Sequence, residues 1–211
     1  MKKSLGLVMF LACFLVASAG FAASVNVTNA AALNGSNWGL EVDSTGGGDA
    51  WVEDQSPSDE THFIARFWFD PNTFMLSEVP GDGESVRIFQ GQEQSPSTAI
   101  LRVYVIQRDN AGNPQYRVRV FARRDGNTGW AKSQGVVLGN APRQIEVEWQ
   151  AASAIGANDG FIRITRVDNG SFKEVTGIDS DERRIGRARL GIFTGGFGTG
   201  TLYLDEYESF R

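Results

Sequence analysis

Residues 143–150 read RQIEVEWQ, and the alternation in that stretch decides the fold class. Ile145, Val147 and Trp149 fall on one side of an extended strand, with Gln144, Glu146, Glu148 and Gln150 on the other. Only a period of two gathers those apolar positions on one face; a helix would scatter them. Glu146 and Glu148 then read as the solvated side of an amphipathic strand rather than as a catalytic pair. The pattern extends outward in both directions. From residue 25 onward no stretch keeps a 3.6-residue period, and short β-rich runs alternate with Gly/Asn/Asp/Pro clusters such as DPN, PGDG, DNAGNP, DGNTG and DNGS. Twelve such runs, from WGLEVDS at residue 38 to TLYLDEYESF at residue 201, predict a single all-β domain of about twelve strands.

Two connections are specific. Asn169-Gly170, inside ITRVDNGSFKEV, is the pair that a type I′ hairpin turn requires, because both central residues need positive φ. Asp125-Gly126, inside RVFARRDGNTGWAK, predicts a second hairpin with a slightly longer loop.

These features carry a resemblance. The stretch from Gly156 to Arg211 resembles the last strands of a concanavalin A-like lectin/glucanase (laminin-G-like) jelly roll. In that pattern a "dG" hairpin is followed by an "lG" strand, a Gly-rich loop and a closing strand with a central Asp. Here those are Asn169-Gly170, Leu190-Gly191 and Asp205. HFIARFWFDPN together with the ending DEYESFR is also similar to modules of exported bacterial proteins. The resemblance implies two curved antiparallel sheets packed as a jelly-roll sandwich. It implies no particular activity, since that fold carries lectins, glycanases and adhesive modules alike.

The N-terminal stretch has the three parts of a secretory signal: Met1-Lys2-Lys3, the apolar run LGLVMFLACFLV, and small residues before Ala22. Cleavage is expected after Ala22, leaving residues 23–211 as one β-sandwich domain in the periplasm or outside the cell. Cys13, the only cysteine, belongs to the apolar run, so the remaining chain has no disulfide and no thiol chemistry. With Lys2 and Lys3 set aside, 18 basic residues face 25 acidic ones. A mildly acidic chain with scattered arginines argues against nucleic acid and against a polybasic membrane patch.

Catalytic patterns are incomplete. Glycanases of the resembled superfamily carry E-x-D-x-x-E, whose two glutamates act across the glycosidic bond. This chain has Glu41 and Asp43 but Gly46 in place of the second Glu. The closing strand places Asp205 opposite in direction to Glu206 and Glu208, so they read as a polar face on a terminal, edge strand. His62 is the sole histidine and reads as a surface residue. Asp179 and Asp181, with Glu182, are the candidates for Ca²⁺, yet they sit beside Arg183 and Arg184 and fall short of the six to eight oxygens calcium takes. The expectation is a solvated acidic loop, no metal and no enzymatic activity.

One feature goes beyond a solvated surface. In HFIARFWFD the side away from the core carries Arg66 and Trp68; in AILRVYVIQ it carries Arg102 and Tyr104; in QYRVRVFAR it carries Arg117 and Arg119. Aromatic faces stack on sugar rings, and arginines bond hydroxyls or pair with the carboxylates of acidic glycans. Shared by one sheet surface, these six would make an exported non-enzymatic module for a glycan or cell-envelope polymer. The alternatives are a structural or adhesive module that meets another protein through the same face and, third, a degenerate glycoside hydrolase.

Overall fold

A computed structural model describes residues 23–76, 85–110, 113–127, 129–193 and 198–211. The expected leader, Cys13 and its apolar run lie outside them. Strands are numbered along the chain. The first sheet has seven, in the order β1 (Ser24–Thr28), β2 (Gly39–Asp43), β16 (Thr201–Phe210), β4 (His62–Asp70), β11 (Arg143–Gln150), β12 (Gly160–Arg166) and β13 (Ser171–Ile178). The second also has seven. Its path is β10 (Val136–Gly139), β8 (Asn113–Arg123), β7 (Ala99–Asn110), β6 (Ser85–Gln92), β14 (Arg187–Phe193) and β3 (Ala50–Asp54), with β9 (Trp130–Lys132) also paired to β8. A ribbon of β5 (Met75–Leu76) and β15 (Gly198–Thr199) completes the sixteen. All the ladders are antiparallel, and the two large sheets pack as a jelly-roll sandwich.

The alternation that suggested strands also builds the core. Phe63, Ala65, Phe67 and Phe69 of β4 and Ile145, Val147 and Trp149 of β11 are fully buried. Phe89 of the opposite sheet packs between two of them, 6.4 Å from Phe63 and 5.8 Å from Phe67, ring centre to ring centre. Burying each such ring contributes roughly 1.5–3 kcal/mol, and the interleaving joins the sheets without a covalent link. Gly191 serves the second sheet in another way. A Cβ there would lie 2.2 Å from the Ala50 carbonyl oxygen, so its lack of a side chain lets β3 lie against β14.

Three expectations are corrected. WAKSQGVVL contains two strands, β9 and β10, and β1, β5 and β15 were not anticipated, which turns twelve runs into sixteen strands. The hairpin at Asn169-Gly170 forms, but only Gly170 has positive φ (68°), and four residues separate Arg166 from its partner Ser171. The longer loop removes the need for a type I′ pair. The closing strand, β16, is not an edge: it lies between β2 and β4. It also carries a bulge, with the ladder shifting between Asp205 and Glu208 and Glu206 at φ 47°. The bulge puts Asp205 and Glu208 on the same outer side, across from Trp68 and Arg66.

Candidate functional site

Each sheet turns one face to the core and one outward, and the candidate arginines and aromatics divide between the two outward faces. Arg66 and Trp68 lie on the first sheet, and Arg102, Tyr104, Arg117 and Arg119 on the second. The six therefore do not share a surface, because β4 and the β7–β8 pair belong to opposite layers. The fate of the charges also differs between the layers.

On the first sheet Arg66 and Arg163 each meet an acid on a neighbouring strand. Arg66 Nε donates to Glu146 at 3.0 Å, directly across the β4–β11 ladder. Arg163 reaches Glu174 at 2.8 Å on one side and Glu148 at 3.0 Å on the other, and Glu148 also pairs with His62 at 2.9 Å. His62 is thus one rung of a ladder that runs from β13 to β4, beside a cavity of about 330 Å³ that Arg184 and Asp181 also line. Trp68 is half-buried among these polar neighbours, facing Gln144 and Asp205.

The second sheet is arranged differently, and β6 explains why. Its ladder to β7 shifts between Arg87 and Phe89. This bulge sends both Ile88 and Phe89 into the core, and the following residues change sides. Gln90 and Gln92 consequently point outward with Arg87. All three are nonetheless buried, at 9% exposure for Arg87, 5% for Gln90 and 3% for Gln92. Around them the register sets Tyr104 opposite Arg87, Arg102 opposite Gln90, and Arg119 beyond Tyr104 on β8.

These polar groups are incompletely satisfied. The Nε atoms of Arg87, Arg102, Arg117 and Arg119 are buried without a hydrogen-bond partner, as are the side-chain oxygens of Gln90 and Gln92. Among the described residues none of these four arginines has an acid within ion-pair distance, whereas neighbouring Arg189 and Arg187 share Glu53 at 2.6 and 3.7 Å. Burial raises the Glu53 carboxyl, but the hydrogen bonds from Arg189 and Gln55 and the nearby positive charges outweigh it and hold it below the usual range. Burial, and then the like charge of Arg102, pull the Arg87 guanidinium below its ordinary value against the opposing pull of Tyr104 and Asp49.

The aromatics of this face orient guanidinium groups. Arg102 lies over Trp130 at 4.1 Å, Arg189 over Trp51 at 3.8 Å and Arg87 over Phe193 at 5.0 Å. Tyr104 meets Phe121 edge-on at 4.9 Å. Sequence reasoning missed Arg87, Gln90 and Gln92. In SVRIFQGQ a strict alternation puts both glutamines in phase with Val86 and Ile88, on the core side, and nothing local announces the bulge.

The remaining candidates have structural partners. Asp43 accepts from the Thr45 backbone and hydroxyl at 2.9 and 2.6 Å, which closes the turn before Gly46. Asp205 is more than part of a polar face: it accepts from the Leu33 N–H at 2.6 Å and from the Ser36 hydroxyl, fastening the 33–36 loop to β16. Asp179 and Asp181 are joined by Asp125, with carboxylate oxygens of all three within 4.8 Å of one another. Arg183 Nε lies 2.8 Å from Asp125, and the Glu182 N–H donates to it at 3.0 Å. A side-chain cation thus sits against this acidic cluster, and the loop is pinned rather than merely solvated.

No family model matches the chain, and no curated protein matches it. Among solved structures it is similar to the botulinum neurotoxin type G receptor binding domain, at 13% identity and a TM-score of 0.52, over 90% of this chain and 43% of that one. It is also similar to the botulinum neurotoxin serotype D binding domain, at 10% identity and a TM-score of 0.50, over 92% and 44%. The chain therefore spans less than half the length of these toxin domains. An alginate lyase from Alteromonas sp. 272 aligns at 15% identity and a TM-score of 0.43, over 84% and 80%. Likeness at such identity shows a jelly-roll sandwich and nothing narrower. It does correct one expectation. Enzymes stand among the solved structures that this chain resembles, and the expectation of a non-enzymatic protein, drawn from the incomplete run at Glu41, Asp43 and Gly46, is not carried forward.

Proposed function

We propose that this is an exported protein that receives a glycan on the outer face of its second sheet, with Arg87, Gln90, Gln92, Arg102, Tyr104 and Arg119 as the contacting residues. The observation that carries the reading is the burial of Arg87, Gln90 and Gln92 on the outward side of β6 with donor and acceptor atoms left without partners. A polar group that loses water without gaining a partner costs about 1–3 kcal/mol, so a run of them in one strand needs a compensating use. Sugar hydroxyls both donate and accept, and they answer amide and guanidinium groups alike. Arg66 and Trp68, on the opposite face, have no part in this proposal.

Export belongs to the same proposal. The Ala23 N–H already donates to the Gly47 carbonyl at 2.6 Å, and β1 begins at Ser24. Export itself rests on the three-part signal pattern that residues 1–22 carry in the sequence. Among the described residues no helix is long and apolar enough to cross a membrane. Mass analysis of protein recovered from its host should show an N-terminus at Ala23; retention of Met1 would overturn that part.

The binding test is a polysaccharide screen of the wild-type protein and of Gln90→Leu, by affinity electrophoresis. The variant is expected to lose about tenfold in affinity, the 1.4 kcal/mol of one well-made hydrogen bond within a site. If no polysaccharide is retarded by the wild type, or if Gln90→Leu binds as the wild type does, the outer face of the second sheet is not the site.

A further inference from the structure

We infer that the polymer this face takes is a polyanionic polysaccharide, with a carboxylate or sulfate on its repeating sugars, laid across the strands. The inference rests on the glycan reading above and adds the charge of the ligand and its direction. Register supplies the direction. Arg189, Gln90, Arg102, Phe121 and Lys132 lie across from one another on β14, β6, β7, β8 and β9. Phe193, Arg87, Tyr104 and Arg119 form the next line on β14, β6, β7 and β8. Strands lie about 4.8 Å apart and alternate outward residues about 7 Å, so the cations are spread over a band across the strands instead of clustering at one point. A single small anion would meet one or two of them; a charged chain can meet several.

The charges supply the class. Arg87 and Arg102 lie on adjacent strands one rung apart, and the Arg102 charge disfavours that of Arg87 against the opposing pull of Asp49, with no acid within ion-pair distance of either among the described residues. A neutral polymer would leave that repulsion in place and would add desolvation of the guanidinium groups. A carboxylate or sulfate removes the repulsion and can take paired N–H bonds from a guanidinium, which is a strong and directional contact. Arg102, Arg117 and Arg119 are only partly buried, so their guanidinium groups can reach an anion laid on this face. Nucleic acid is the less fitting polyanion. Binding to single strands uses open aromatic faces on which bases stack. Here Trp130, Trp51 and Phe193 each have a guanidinium over the ring, and Tyr104 turns its ring edge-on to Phe121.

The experiment compares polymers that differ only in charge. Purified wild-type protein is titrated with polygalacturonate and its methyl ester, with dextran sulfate and dextran, and with single-stranded DNA. The expected result is at least tenfold tighter binding to a charged member than to its neutral counterpart, weakening steadily as NaCl rises. A preference for polygalacturonate identifies the carboxylate, and a preference for dextran sulfate identifies the sulfate. Arg102→Gln combined with Arg119→Gln should lose at least tenfold, with a melting temperature no lower than the wild type's showing that the domain stays folded. Arg66→Gln, on the other sheet, should bind as the wild type does. Equal affinity for charged and neutral polymers overturns the inference about charge and leaves the glycan proposal standing. Failure of every polysaccharide overturns both, and tighter binding to DNA than to either charged polysaccharide overturns the choice of polymer.

Discussion

The two outward faces of this sandwich are made from the same materials and end in opposite states. The first sheet sets Arg66 against Glu146 and Arg163 between Glu148 and Glu174, so each charge is answered by the next strand. The second sets Arg102 against Gln90 and Phe121, and Arg87 and Arg119 against Tyr104. The first face answers these charges within the fold. On the second Glu53 answers Arg189, but among the described residues Arg87, Arg102 and Arg119 have no acid within ion-pair distance. Counting arginines cannot separate the two, because the distinction lies in which residue the register places opposite each one. Cross-strand pairs are the unit in which a sheet's outer surface is stabilised, and a sheet that omits the matching acid has given up that stabilisation.

The largest expected effect tests whether the first face is an outer face at all. Phe67 and Trp68 are neighbours on β4, one fully buried against Phe89 and the other half-buried on the far side. Phe67→Ala should cost about 3–5 kcal/mol in urea unfolding, as large core truncations do. Trp68→Ala should cost about 1–2 kcal/mol, since only part of its surface leaves water. Equal losses would mean that β4 is dry on both sides, and the contrast between the two outward faces would have to be redrawn.

The strand pattern of β4 and β11 was legible from sequence because each alternates without interruption and each buries one whole face. The site was legible only where that held. Arg102, Tyr104, Arg117 and Arg119 sit on regular strands and were found; Arg87, Gln90 and Gln92 lie at or beyond a bulge and were not. A bulge is a property of pairing with β7, and no residue in SVRIFQGQ encodes it locally. The same cause misplaced Asp205, whose bulge at Glu206 turns it toward the 33–36 loop. Layer assignment was also beyond the sequence. Arg66 and Arg102 look equivalent along the chain, and only the strand order places them on opposite sides of the core. Asp125 joins Asp179 and Asp181 across 54 residues of chain, a proximity no spacing rule conveys.

A middle-sized effect follows from the missing acids. Arg87 is buried, faces the charge of Arg102 and has no ion-pair partner among the described residues. Replacing a buried charge by an apolar side chain of similar length often stabilises a fold. Arg87→Met should raise unfolding stability by about 1 kcal/mol, at the low end of such gains, while weakening the binding proposed above. Stability given up at a binding surface commonly shows this opposed response. A loss of stability in Arg87→Met would mean that Arg87 is satisfied within the fold, and the second face would no longer differ from the first.

The smallest effect belongs to the ladder on the first sheet. Glu148 serves both His62 and Arg163, with side chains that remain partly accessible to water. Exposed ion pairs contribute about 0.2–1 kcal/mol and weaken with salt. Glu148→Gln should therefore lower stability by about 0.5 kcal/mol at low ionic strength, within that range, and the deficit should shrink in 1 M salt, where the Debye length falls to about 3 Å. The sign matters more than the size. Removing Glu148 from its pairs should destabilise, and removing Arg87 should stabilise, because among the described residues Arg87 has no acid within ion-pair distance. A double-mutant cycle of Glu148→Gln with Arg163→Gln measures the pairing directly, since each single change leaves the partner behind and their coupling isolates the contact. A favourable coupling that fades with salt would confirm that the first face answers its own charges. A coupling of zero would leave the ladder as geometry without energy, and the two faces would then differ only in the burial of Arg87, Gln90 and Gln92.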